Sequence, residues 1–311
     1  MRYVGKLIDH VGRHTENPRD QVTSEAGISD EDFLEYANFA QSRLQAAILR
    51  AYPHSTVFDD EYTQSVTSGT KSYPVSSGDA LYGNKCRYCE YSDSGRSDDY
   101  WALRYSDIRE LGAGAGSPTT YALRNGNVIL GDIPNRSGYL RTVFPRRLDS
   151  LDLRRGRVEA TANDGTRWTS VTLADDSDLD SDALADAEYF CVSDKHGEVT
   201  IYSVPIYSYD SPSRVIKIDS GSPVRSATAN INVGDYVTIG KFSTTHSKLE
   251  DPAEKYLLSY MSWKIFKRDS STDAVEENSE LASMEEEIVA VYGSSSLDAQ
   301  NIIISDPEWF Q

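Results

Sequence analysis

The strongest constraint in this 311-residue chain is a change of hydrophobic period. Apolar residues recur at helical spacing from residue 33 to 51, at period two through most of 57–145 and 157–247, and at helical spacing again beyond residue 252. Helices at both ends of a chain with strands between them define an α+β protein.

The helical signals are local and specific. Val4, Leu7, Ile8 and Val11 form a short stripe near the start, followed by a polar linker containing Asn17-Pro18. Ser29 is placed to cap a helix with Asp32 three positions on, and Phe33, Ala37, Ala40, Leu44, Ala47, Ile48 and Ala51 form its apolar face. Pro53 ends it. Near the other end Asp251, Pro252 and Glu254 open a helix carrying Tyr256, Leu257, Tyr260, Met261, Trp263 and Phe266. A further helix, with Leu281, Met284, Ile288 and Val291 along one side, is expected to run to Gly293.

Between the helices the turn chemistry is that of strands. "EYTQSVTSGTKSYPV" predicts a hairpin turning at Ser68-Gly69. "YALRNGNVILGDIPNRSGYLRTVFPRR", residues 121–147, predicts successive strands with turns at Asn125-Gly126-Asn127 and at 133–138. In the last of them Leu140, Thr142 and Phe144 share the covered face. "RWTSVTL", "EVTIYSVPIYSY", "RVIKI" and "DYVTIGKF" are strand candidates of a second β block.

Composition excludes several functions. With 49 acidic and 31 basic residues, net charge −18, the chain is not built to wrap nucleic acid by neutralising phosphates. No stretch has the length and apolarity of a membrane span. Three cysteines make no disulfide framework, and Cys86-x-x-Cys89 lacks the two further ligands a structural zinc site needs, so two thiols on one face of a strand is the expectation. Residues 175–188 carry seven acids and no base, yet an alignment as a calcium loop leaves Ser181 where glycine belongs and Ala187 where the bidentate glutamate belongs. This reads as a solvated acidic loop. His10 and His14, four apart, read as a solvated pair. No phosphate-cradling loop, nucleophile elbow or metalloprotease motif is present, so neither a catalytic centre nor a cofactor is expected.

What remains is interaction chemistry. Arg136, Arg141, Arg146, Arg147, Arg154 and Arg155, with Arg157, fall in a stretch holding only Asp149 and Asp152 as acids. They are candidates for contact with an acidic surface on another copy or a partner, the alternative being a solvated face. Ile302, Ile303, Ile304, Trp309 and Phe310 punctuate a polar tail and are candidates for a docking arm that either folds back or anchors in a partner.

The series "TSGTKSYPV", "RYSDIRELG…GSPTTYALRNGNVILGDIPNRSGYLRTVFPRRLDSLDL" and "LEDPAEKYLLSYMSWKIFKRDSSTDAVEENSELASMEEEIVAVYG", behind a capped helix, resembles the head-to-tail adaptor (connector) proteins of tailed bacteriophages. The likeness covers roughly residues 24–155 and 246–300. It implies an adaptor core at 1–156 and 246–311, in which the N- and C-terminal helices form a bundle around an antiparallel β element, with an inserted β-rich domain at 157–245. It further implies a virion protein assembled in the host cytoplasm into a ring, usually twelvefold, beneath the portal protein. Such a ring carries tail nozzle or tail-tube proteins and lets double-stranded DNA pass without sequence-specific grip. Two competing readings stand beside it: a virion decoration or receptor- and glycan-binding protein working through the β block, and an acidic hydrolase using a carboxylate pair there.

Overall fold

The computed structural model describes residues 2–16, 28–53, 55–76, 82, 86–96, 99–112, 114–179, 181–220, 230–249, 253–269 and 271–304. The expected cap at Asp251 and Pro252 lies outside them, as do Trp309 and Phe310. In chain order, β1 (Arg2–Tyr3) runs into α1 (Val4–His14), and α2 (Asp30–Ala51) follows. Next come β2 (Asp59–Val66), β3 (Ser72–Pro74), β4 (Tyr88–Ser92), β5 (Trp101–Ala102), β6 (Arg104–Tyr105) and β7 (Ala115–Gly116). β8 (Thr120–Arg124), β9 (Asn127–Leu130), β10 (Ile133–Pro134), β11 (Gly138–Pro145) and β12 (Ser150–Leu151) continue the strands. The second β block holds β13 (Gly156–Asn163), β14 (Trp168–Leu173), α3 (Ser181–Ala185), β15 (Tyr189–Ser193), β16 (Val199–Asp210), β17 (Val215–Ile218) and β18 (Tyr236–Ile239). β19 (Ser243–Thr244) and β20 (His246–Ser247) return the chain to α4 (Ala253–Arg268) and α5 (Asp273–Ile304). The protein is thus mixed α+β. It divides into two units, Met1–Ala51 with Leu148–Ser294 and Tyr52–Arg147 with Ser295–Gln311.

In the first unit α2 begins as its sequence dictates. The Asp32 amide donates to Ser29 Oγ at 3.1 Å, and the Ser29 amide donates to Asp32 Oδ2 at 2.9 Å, a reciprocal capping box. The backbone and hydroxyl bonds from Ser29 hold the Asp32 carboxyl below its ordinary value. Phe33, Ala37, Ala40, Leu44 and Ile48 are fully buried, and α4 packs on both α2 and α1 through Tyr256, Leu257, Met261 and Ile265. Each such large apolar side chain contributes about 1.5–3 kcal/mol by burial.

Six strands close into a barrel, ordered β13-β14-β17-β16-β15-β18, every adjacent pair antiparallel. Val158, Val171, Leu173, Phe190, Val192, Val204, Ile216 and Val237 are buried together in its core. The acidic stretch at 175–188 is more than a solvated loop: Leu179 and Leu184 enter the same core, while Asp176 pairs with Arg157 at 3.1 Å and Asp175 pairs with Arg214. β16 serves both sides of the barrel by bending near Ser203, a non-glycine residue at φ 54°.

The barrel is joined to the helices of its unit by polar side chains. Two amides of α2 act as a strand edge would: Asn38 Nδ2 donates to Leu151 O at 3.1 Å and Asn38 Oδ1 accepts from Leu151 N at 2.8 Å, while Gln41 Nε2 donates to Asp149 O at 2.8 Å. The Asp149 side chain, 1% exposed, meets Lys248 Nζ at 2.9 Å and accepts from the Tyr202 hydroxyl at 3.1 Å. Lys248 in turn donates to that hydroxyl at 2.7 Å. Burial is the largest single influence and lowers the lysine, but the charges and hydrogen bonds of Asp149 and Tyr202 together outweigh it and hold Lys248 above its ordinary value. Close by, β1 pairs with β20, and His246 lies against Tyr3 and accepts or donates through Nδ1 to Thr245 Oγ1 at 3.1 Å. Burial and then the Arg155 charge bring His246 down to about 4.

The second unit holds two four-stranded sheets, β2-β11-β4-β5 and β3-β9-β8-β6, with β7 pairing β10. The turn between β8 and β9 is as expected, with Asn125 at φ 51° and Gly126 at φ 74°, the two left-handed residues of a type I′ hairpin. The hairpin expected at Ser68-Gly69 does not form. β2 pairs along all eight residues with β11, and β3 pairs with β9. Gly69 does turn, at φ 84°, but its amide donates to Pro134 O and the Tyr73 hydroxyl binds Thr67 and Thr70, sending the chain into the other sheet. The segment at 133–138 likewise transfers the chain between sheets. The helix expected to stop at Gly293 continues to Ile304.

Removing one member of the buried pair leaves the other uncompensated, so Lys248→Met should cost about 3–5 kcal/mol and Asp149→Leu in the same background should recover part of it. Urea unfolding of the two variants checks this. Because His246 is lowered in the folded state, its neutral form contributes stability that is complete above the unfolded value of about 6.5 and is lost as pH falls toward 4. His246→Gln should flatten the pH dependence of the unfolding midpoint between those values.

Candidate functional site

The six arginine candidates separate into three that the chain engages itself and three that it leaves at the surface. β2 opens with Asp59, Asp60 and Glu61, and each acid meets an arginine of the same unit. Arg87 Nε donates to Asp59 Oδ1 at 3.0 Å, Arg146 Nη1 donates to Asp60 Oδ2 at 3.1 Å, and Arg141 lies 3.9 Å from Glu61. Arg141 also donates to Glu90 at 2.6 Å and stacks 4.3 Å from the Tyr100 ring. Its guanidinium is held above its ordinary value, burial being overcome by Glu90 and Glu61. Arg155, in the first unit, lies between two rings, 4.3 Å from Tyr3 and 4.0 Å from Tyr236.

Arg136, Arg147 and Arg154 are exposed and form no ion pair with a described residue. Arg136 and Arg147 flank β11, a strand about 25 Å long at 3.3 Å per residue, so they are not one patch. Arg154 belongs to the first unit. Of the six, these three have no ion pair among the described residues and are the candidates for an acidic surface elsewhere.

Ile302, Ile303 and Ile304 form the last turn of α5. Upstream, several described groups fasten α5 to its unit. Leu281 and Ile288 are buried, Glu285 accepts from Arg43 and from the Tyr256 hydroxyl at 3.0 Å each, and Glu277 meets His14 at 3.1 Å. Val275 and Val291 stand 75% and 49% exposed. Where α1, α4 and α5 approach one another lies a half-open cleft of about 530 Å³, walled by Glu16, Asp269, Asp273, Glu276 and Glu280 around His14, Phe266 and Glu277. His10 and His14 are both exposed, as expected of a solvated pair, but His14 also meets Glu277 and the edge of Phe266. The cleft is anionic, with an aromatic wall, and suits a basic group. Residues four, two hundred and sixty and more positions apart build it, so no local pattern announced it.

Among the described residues no group of three or more His, Cys, Asp or Glu side chains is arranged to hold a metal ion, and no helix is long and apolar enough to cross a membrane. No protein-family model matches the chain, and no curated protein matches it.

Arg141→Ala should destabilise the protein by about 1–2 kcal/mol through loss of a charged hydrogen bond and a ring contact. Arg147→Ala and Arg154→Ala should each fall within about 0.5 kcal/mol of the parent. Thermal unfolding of the three variants measures the difference.

Proposed function

We propose that this chain is a structural protein of the tailed-bacteriophage neck: a head-to-tail adaptor that assembles as a ring beneath the portal, extends the DNA channel and offers a platform to the tail. In this reading the helices at the two chain ends form the bundle around which copies assemble, and the protein has no catalytic activity of its own. Its place is the virion, after assembly in the host cytoplasm.

The observation that carries the proposal is α5. Over the twenty residues 273–292, about 30 Å at 1.5 Å per residue, Leu281 and Ile288 are the only apolar side chains of α5 that are fully buried. A helical stretch with so little of its circumference packed gains stability from further contacts. A ring of identical copies on a portal supplies such contacts, and the triplet Ile302–Ile304 gives the far end of the helix something apolar to dock. Arg136, Arg147 and Arg154 are available for the neighbour, and the net charge of −18 suits a channel through which DNA slides.

A second reading, a decoration or glycan-binding protein acting through the barrel, draws on Tyr207, which stands 74% exposed on β16. An exposed tyrosine ring is a stacking platform for a sugar. The barrel core is lined by apolar side chains, so a sugar would meet the outer face.

The two readings separate on mass. Mixed with the portal ring of the same genome, the protein should form a saturating complex heavier by about one ring of subunits, twelve in the usual symmetry of such assemblies. A chain ended after Gly293 should lose that complex. Indifference to the portal at high concentration, with binding to a glycan array, would favour the barrel.

A further inference from the structure

Cys86 and Cys89 are two free thiols whose sulfurs lie 3.5 Å apart. Cys89 is on β4, fully buried, with its Cα opposite that of Thr142 on β11. Cys86 stands just before the strand and is only partly covered, its sulfur directed at Val143 O (3.4 Å) and Tyr88 O (3.3 Å). Bond formation requires the sulfurs to approach by about 1.5 Å, toward the 2.05 Å of a disulfide. Two thiols at van der Waals contact, one reachable from solvent and one behind it, form the arrangement in which an attacking and a resolving cysteine operate.

We propose that Cys86 and Cys89 are a redox pair that closes reversibly to a disulfide by exchange with a small-molecule disulfide. Cys86 is the attacking residue: its thiolate adds to one sulfur of the oxidant, the oxidant's S–S bond breaks, and one thiolate leaves and takes up a proton. Cys89 then releases its proton and attacks Cys86 Sγ, expelling the second thiolate, which is protonated in turn. The protein gives up two electrons and two protons, and the small disulfide becomes two thiols.

The environment supports this order. The Cys89 thiol hydrogen bond lowers Cys86 first, helped by the Val143 and Tyr88 contacts and against the cost of burial; that same bond, together with burial, raises Cys89. The negative charge therefore settles on the more accessible sulfur. Closure takes Cys86's S–H away from Val143 O and Tyr88 O and staples the lead-in of β4 to the strand itself. The ring closed is only four residues long, so the chain-entropy gain is small and the pair stays reducible. Cys191, buried in the barrel wall and bonded to Gly240 O and Lys241 O, belongs to the other unit and serves as an internal control. The inference does not depend on the neck assignment.

The test is an intact-mass and alkylation titration of the folded full-length protein against oxidised and reduced glutathione in native buffer. The expected product is two hydrogens lighter, with two of three cysteines protected from iodoacetamide added on unfolding after the exchange is quenched, and recovered if reduced glutathione is added first. Cys89→Ser should stop at a single glutathione adduct on Cys86, and Cys86→Ser should slow all reaction by at least about tenfold. Two results would overturn the proposal: a wild-type protein that keeps the glutathione adduct, so that Cys89 does not resolve it, or closure seen only in denaturant. Both are read on the wild-type chain and stand even if a variant fails to fold.

Discussion

Asp149 is the point on which the first unit depends. Its carboxylate is almost wholly removed from water, and an unpaired charge there would cost more than most single contacts contribute. The cost is met by groups from separate parts of the chain, Lys248 after the barrel and Tyr202 on β16 within it, while Gln41 of α2 holds the main-chain carbonyl of the same residue. Each group can satisfy the site only if its element is in place. Coulombic and hydrogen-bond requirements thus fix what apolar packing leaves adjustable, because leucines and valines tolerate sliding and a lysine–carboxylate pair does not.

Charge in the second unit is organised on a similar principle with a different result. Asp59, Asp60 and Glu61 stand together at the start of β2, where their mutual repulsion would weaken an edge strand, and three arginines from other segments neutralise them. An edge strand carrying matched charges offers little to an approaching strand of another chain. Part of the basic stretch that stands out in an acidic sequence, Arg141 and Arg146, is therefore consumed at home.

Much of the architecture was legible in the sequence because it rests on local chemistry. The capping box at Ser29 and Asp32, the stripe from Phe33 to Ile48 and the Asn125-Gly126 turn each need only a few neighbouring residues. Four barrel strands were readable for the same reason. β13 was not, since its exposed stretch of Glu159, Ala160 and beyond breaks the alternation, and β15 is a short buried run behind an acidic segment. Strand partners were not legible either: Ser68-Gly69 has the composition of a hairpin, and only the eight-residue match of β2 to β11 decides otherwise. The arginines show the limit most directly. Alternation along a strand, ring stacking and a unit boundary scatter residues that lie within twenty positions of one another, while the anionic cleft gathers residues from both ends of the chain. Gly293 failed as a stop because glycine inside a helix costs only about 1 kcal/mol, which neighbouring turns absorb.

The closing seam of the barrel has a consequence for how the second β block tolerates change. β13 and β18 are hydrogen-bonded neighbours, Gly156 opposite Val237 and Arg157 opposite Tyr236, so the chain leaves the barrel beside the place where it entered. A segment with that property behaves as a cassette. Its entry and exit are held together by one strand pair, so a change of length in a loop between β13 and β18 need not rethread anything outside it.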